Sequence, residues 1–304
     1  MTLRIGTRAS LLARTQSALV GDALVAEAGG GLGVEYVEIV THGDLSRGSL
    51  VGLSDVGVFV TALRESLLAD ECDLIVHSLK DMPVAPAEGL NLAAIVARED
   101  PRDALCAGGL TLAQLHGGAR VGTSSPRRQA QVRSLRPDLD VTDIRGNVDT
   151  RLSRVGVEFD AVVLALAGLT RLGREGEADE IFEVDTMVPA PGQGALAIEI
   201  RADAPAAVQS LVASLDDAAS RACVTAERAA LDILQAGCAA PVGIHATCHD
   251  GKVWVHGRVI DGSGSLALNE YGSGPVGHAA AVGRSVAHSL LGRGAQRLMA
   301  ASGT

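Results

Sequence analysis

The chain has 304 residues, 47% of them hydrophobic and 20% charged, with a formal net charge of −10. That length suggests two or three domains, while the acidity and a set of only three Phe, two Tyr and one Trp argue against nucleic acid as a partner. No apolar run reaches membrane-spanning length and MTLRIGTRAS has no signal-peptide pattern, so a cytoplasmic protein that does not bind membranes is expected.

From the N-terminus the pattern predicts a strand (LRIGT), a helix (SLLARTQSALVGDALVAEAG), a strand (VEYVEIV), a loop, a helix (VFVTALRESLLA) and a strand (CDLIVHS). Strands alternating with amphipathic helices mean a mostly parallel sheet covered by helices. After the charged turn REDPRD the alternation restarts: strand RVGTSS, helix PRRQAQVRSL, strand LDVTDI, helix VDTRLSRV, strand DAVVLALAG. One more strand, GALAIEIR, precedes a helix over 218–235. Shorter strands (GIHATCH, KVWVHGRVI, SLALNEYG) and a helix near 278–292 then read as a small α+β domain.

Two junctions match each other. RIGTRAS and RVGTSSP both pass from a strand through Gly-Thr to a hydroxyl residue opening a helix, with Ser10 as a possible N-cap and Pro126 suited to a first turn. Such junctions offer free N–H groups to an anion. Basic residues gather nearby: Arg127 and Arg128 stand in a first helical turn, against the macrodipole, and Arg145, Arg151 and Arg171 follow. Of 26 basic residues only Lys80 and Lys252 are lysines. A cluster of guanidinium forks points to a polycarboxylate or phosphate.

In DLIVHSLKDMP, Lys80 and Asp81 follow an apolar strand, as a surface pair or as groups of an active site; His77 reads as packed or hydrogen-bonded. Phe59 could wall a flat ring or sit in a core. The five cysteines are odd in number and irregularly spaced, against both a disulfide framework and a metal site. Cys72, Cys106, Cys223 and Cys248 read as small buried hydrophobes. Cys238 differs: it follows Gly237 at a helix end, at the mouth of a loop.

Together, RIGTRASLLARTQ, VHSLKDMP, REDPRDA, VGTSSPRRQAQ, RGNVDTRL, AGLTRLG, APGQGALAIE and TAERAALDILQAGCAAPVG resemble, in order, the signatures of the porphobilinogen deaminase (hydroxymethylbilane synthase) family. The resemblance implies two periplasmic-binding-protein-like α/β lobes plus a small C-terminal α+β domain: 1–97 with 195–216, 98–194, and 217–304. It implies a monomeric transferase that joins four porphobilinogens head to tail with loss of ammonia. The product grows on a dipyrromethane cofactor held by a thioether, here at Cys238, and is released by hydrolysis as hydroxymethylbilane. By motif match Asp81 is the catalytic carboxylate. Asp44, Lys80, Thr123, Ser125, Arg127, Arg128 and Arg145 would bind the cofactor. Arg8, Ser10, Gln16, Phe59, Arg145, Arg151, Arg171 and Gln193 would bind substrate. The chain departs from the pattern at Val56 and Thr61, where many members carry lysine, and at Ala236, where glycine is usual. A non-catalytic two-lobed anion-binding or sensor protein is the alternative, but it would need neither the Lys80-Asp81 pair nor the loop cysteine.

Overall fold

The computed structural model describes residues 1–39, 55–236 and 240–300, with side chains of the segment 55–59 left aside. Asp44, Cys238 and the Phe59 side chain therefore lie outside the described residues. The first elements are β1 (Thr2–Thr7), α1 (Leu11–Glu27), β2 (Gly33–Glu38), α2 (Asp55–Leu68), β3 (Leu74–Ser78) and β4 (Leu90–Ile95). There follow β5 (Asp103–Cys106), β6 (Arg120–Gly122), α3 (Pro126–Leu135), β7 (Asp140–Thr142), α4 (Val148–Leu152), β8 (Ala161–Ala165), α5 (Leu166–Arg171) and β9 (Glu180–Ile181). Next come β10 (Leu196–Arg201), α6 (Ala206–Ala213) and α7 (Ala218–Leu234). The chain closes with β11 (Val242–His249), β12 (Lys252–Ile260), β13 (Ala267–Pro275), α8 (Ala279–Gly292) and α9 (Ala295–Ala300).

Contacts divide the chain into two compact units, Met1–Arg98 with Ala195–Arg221, and Glu99–Gly194 with Ala222–Thr304. The first unit holds a five-stranded sheet ordered β2-β1-β3-β10-β4. β1 runs parallel to β2 and β3, whereas β10 is antiparallel to both β3 and β4. Leu74, Ile75 and Val76 are buried because helices cover both faces of this sheet, as a parallel arrangement requires. α1 and α6 pack Val20, Leu24, Val208 and Val212 on one face, and α2 packs Leu63 and Leu67 on the other.

The second unit repeats the order with different strands: β7-β6-β8-β5-β9, where β6 is parallel to β7 and β8 and β5 is antiparallel to β8 and β9. In both sheets the fourth strand is the one that begins just after the chain crosses between units, β10 on its return to the first and β5 on its entry to the second. The expected strand DAVVLALAG ends early. β5 begins at Asp103, opposite Ala165, so the ladder stops there. Leu166 and Leu169, three apart, then bury one side of the short helix α5.

The same unit contains the meander β11-β12-β13, all antiparallel, packed against α7, α8 and α9. Val253 and Val255 point into that core while Trp254, between them, is 43% exposed. Period-2 alternation thus decides which face is buried. A Cβ on Gly283 would come within 1.9 Å of the Ala226 carbonyl oxygen, so α8 and α7 touch backbone to backbone there.

Candidate functional site

In the first unit the β1–α1 junction leaves Arg8 half-buried and uses Ser10 as N-cap, its Oγ accepting from the Ala13 N–H at 3.3 Å. β3 ends in a single 3-10 turn, Leu79–Asp81. Two buried apolar residues pin this turn: Leu79 donates its N–H to the Ala195 carbonyl at 3.0 Å, and Met82 donates to the Leu79 carbonyl at 3.0 Å. Between these anchors Lys80 is half-buried and Asp81 is exposed. Gln16, expected on the substrate, is buried, and its Nε2 donates to Ser78 Oγ at 2.9 Å.

Beneath that strand end lies a buried ionic group. Arg64, from α2, donates from Nε and Nη2 to the Glu199 carboxylate at 2.9 and 2.7 Å. His77 Nε2 lies 3.0 Å from Glu199 Oε2. Burial pushes the Glu199 carboxyl up, but hydrogen bonds from His77 and Arg64 override it and hold it at about 2. His77 is thus a hydrogen-bonded strand residue.

In the second unit β6 runs through Gly-Thr-Ser-Ser into α3. Thr123 is fully buried and its Oγ1 accepts from the Ser125 N–H at 3.3 Å; Ser125 caps α3, its Oγ accepting from the Arg128 N–H at 3.5 Å. The unfavourably placed cations of this first turn are answered from inside the protein. Arg127 Nη1 donates to Asp103 Oδ2 at 2.7 Å and to the Val188 carbonyl at 2.8 Å. Arg128 donates to Asp103 Oδ1 from Nε at 2.9 Å and from Nη2 at 2.6 Å. Burial works against the Asp103 carboxylate, yet the two guanidiniums keep it far below the usual carboxylate range. Gln193 is also turned inward, its Nε2 donating to the Pro101 carbonyl at 2.6 Å and to Asp103 Oδ1 at 2.9 Å.

The remaining arginines are less enclosed. Gly146, with φ of 114°, makes the turn into α4, and Arg151 Nε donates to its carbonyl at 2.8 Å. Arg145 is exposed. Burial lowers the Arg151 pKa, and the positive charges of Arg128 and Arg145 lower it further, so these three cations share one potential. Arg171, its pKa lowered by burial against the pull of Glu99, donates from Nη2 to the Gly194 carbonyl at 2.6 Å.

The structure therefore joins Thr123, Ser125 and Gln193 to the α3 start that carries Arg128, and the charges of Arg128 and Arg145 reach Arg151. Sequence reasoning missed Asp103 and Glu199. For Glu199 a signal existed, one charge in the middle of the apolar strand ALAIEI. Asp103 stood in REDPRDA among charges that read as a turn, and nothing local marks it as buried.

Among the described residues no helix is long and apolar enough to cross a membrane. Residues 3–209 match the family model "Porphobilinogen deaminase, dipyromethane cofactor binding domain", and 221–292 match "Porphobilinogen deaminase, C-terminal domain". Curated relatives named porphobilinogen deaminase are similar over nearly full length. That of Leifsonia xyli is 50% identical, covering 97% of this chain and 94% of its own. That of Thermobifida fusca is 48% identical, covering 98% and 95%. The Mycobacterium tuberculosis relative is 49% identical, covering 98% of each. Among solved structures, the methionine binding protein MetQ is similar over 70% of this chain and 89% of its own, with 9% identity and a TM-score of 0.44.

Proposed function

Because the chain belongs to the porphobilinogen deaminase family, we propose that Asp81 is its catalytic carboxylate and that Arg128, Arg145 and Arg151 hold the acidic side chains of its pyrroles. It is a transferase of tetrapyrrole synthesis that joins four porphobilinogens with loss of ammonia and releases hydroxymethylbilane by hydrolysis. The non-catalytic anion-binding reading gives way to this one. When bound, the dipyrromethane supplies the pyrrole terminus to which each porphobilinogen is joined.

The observation that carries the residue assignment is a half-buried guanidinium, Arg151, held on the Gly146 turn and standing in the field of Arg128 and Arg145. Burial, and after it the charges of Arg128 and Arg145, push the Arg151 pKa down, so an arriving carboxylate relieves an unfavourable potential and also gains bidentate donors. That donor chemistry fits a dipyrromethane, whose rings bear carboxylates. Arg171 in the second unit, and Arg8 and Lys80 in the first unit, are further carboxylate binders, and Ser10 and Ser125 open helices whose N-termini favour anions. Asp81 stands exposed within a turn anchored on both sides. There it stabilises the positive charge that develops as the aminomethyl nitrogen departs, and it exchanges a proton with the reacting group. Cys238 is the thioether attachment point, Asp44 a partner of the pyrrole nitrogens and Phe59 a wall for a ring. Residues 217–304 form a third domain that carries the cysteine, and the protein works as a cytoplasmic monomer.

The test is the intact mass of the purified chain beside Cys238→Ser. The parent is expected to be heavier than its sequence by two linked pyrrole units, and the serine variant is not. Equal, unmodified masses after incubation with porphobilinogen would overturn the reading.

A further inference from the structure

Asp103 has no exposed surface and accepts four hydrogen bonds: from Arg127, twice from Arg128, and from Gln193. A carboxylate offers about four acceptor sites, so this one is saturated. It sits at the first residue of β5, opposite the last residue of β8, on an interior strand of the sheet. Its place is set by a ladder on both sides and not by a loop, which suits a group that must fix another. Gln193 is itself oriented, because the Pro101 carbonyl takes its amide N–H.

The effect falls on Arg128. Nε and Nη2 face Asp103, a longer contact of 3.5 Å joins Nη2 to Gln193 Oε1, and Nη1 reaches the Val163 carbonyl at 3.2 Å. A guanidinium has five N–H bonds, so one Nη1 hydrogen keeps no partner among the described residues. Charge matters as much as shape, since two buried guanidiniums face one carboxylate. A buried ionic group of this kind is weak as a source of stability.

We propose that Asp103 is the positioning residue of the arginine cluster: it locks the fork of Arg128 and so fixes the remaining Nη1 N–H for a ligand carboxylate. Gln193 assists by holding Asp103. This rests on the reading of Arg128 as a carboxylate binder.

The experiment is a double-mutant cycle in the full chain with Asp103→Asn, Arg128→Lys and the pair, reading KM for porphobilinogen, kcat, cofactor mass and melting temperature. Asp103→Asn is expected to raise KM roughly 10- to 100-fold, the scale of a lost charge-assisted hydrogen bond, with kcat nearly kept. The double variant should then be no worse in KM than Arg128→Lys, because Asp103 acts through Arg128. Effects on KM that multiply, or a lower melting temperature with unchanged KM, would overturn the positioning role. If Arg128→Lys leaves KM unchanged, the carboxylate-binding reading itself fails and the positioning role falls with it. If it raises KM and Asp103→Asn does not, only the positioning role fails. Should Asp103→Asn not fold, Gln193→Met runs the same cycle, removing one donor to Asp103 without altering charge; multiplying effects there count against the proposal, and a masked effect in the double variant supports it.

Discussion

Each five-stranded sheet carries a buried carboxylate on its fourth strand, Glu199 on β10 and Asp103 on β5. Both are held by arginines from a neighbouring helix, Arg64 of α2 and the Arg127–Arg128 pair of α3. They differ in depth and in charge. Glu199 pairs with Ile75, early in β3, whereas Asp103 faces Ala165, where β8 ends. Ligand-binding groups of open α/β sheets collect at the carboxyl ends of parallel strands. A carboxylate at depth that meets one guanidinium and an imidazole ties a sheet to its helix. The one at the strand end, outnumbered by cations, is the one proposed to position an arginine for anions. Position along the strand, more than residue type, separates the two duties.

That contrast can be broken. The largest effect is expected at Asp81, the exposed carboxylate beyond β3: Asp81→Asn should lower kcat by roughly 10²–10⁴-fold, the range for general acid–base groups, with the melting temperature kept. A steady-state assay beside a thermal melt decides it, and retained turnover would remove the chemistry from the first unit. Next is Glu199→Ala, which strands Arg64 in the interior. Urea unfolding should show a loss of about 3–5 kcal/mol, as when one partner of a buried ion pair is removed, and a loss under about 1 kcal/mol would mean Glu199 is no structural tie.

Glu199 also predicts a pH dependence. Its carboxyl is held at about 2 against an ordinary 4.5, so the folded state binds its proton less readily than the unfolded one. The resulting stability, about 3 kcal/mol by linkage, is complete above 4.5 and is lost as pH falls toward 2. Glu199→Gln should flatten that part of a stability–pH curve recorded by urea unfolding. In the second unit Arg151→Gln should raise KM for porphobilinogen roughly 10-fold while kcat changes little; a fall in kcat alone would blur the division of labour. The smallest effect is expected at Glu158→Gln, which removes an exposed partner of Arg154 four residues away. It should change unfolding free energy by no more than about 0.5 kcal/mol.

The alternation of strands and helices was legible because hydrophobic periodicity, Gly-Thr turns and capping hydroxyls are local signals, and Ser10 and Ser125 cap the helices they were expected to open. The place of β10 between β3 and β4 was not, since pairing order is decided by partners far apart in the chain. The site shows the same limit. Arg127 and Arg128 stood out as cations at the wrong helix end, but their answering charge, Asp103, belongs to another element. Gln16 and Gln193 matched positions of substrate-binding residues, and the structure gives both amides inward partners, Ser78 for one and Pro101 with Asp103 for the other. Side-chain direction at a helix face or loop depends on what packs above it, and that is absent from a motif.

The insertion of β10 has a consequence for how the chain is made. All five strands of the second sheet lie between Asp103 and Ile181, whereas the first sheet lacks its fourth strand until Leu196–Arg201 has been synthesised. On the ribosome β3 and β4 emerge early yet have only β10 to join them, so each keeps an unpaired edge while the second sheet is completed. The half of the protein that begins first is therefore the one that must wait, and a nascent chain stalled before residue 196 would expose hydrogen-bonding edges at β3 and β4 to any neighbouring strand.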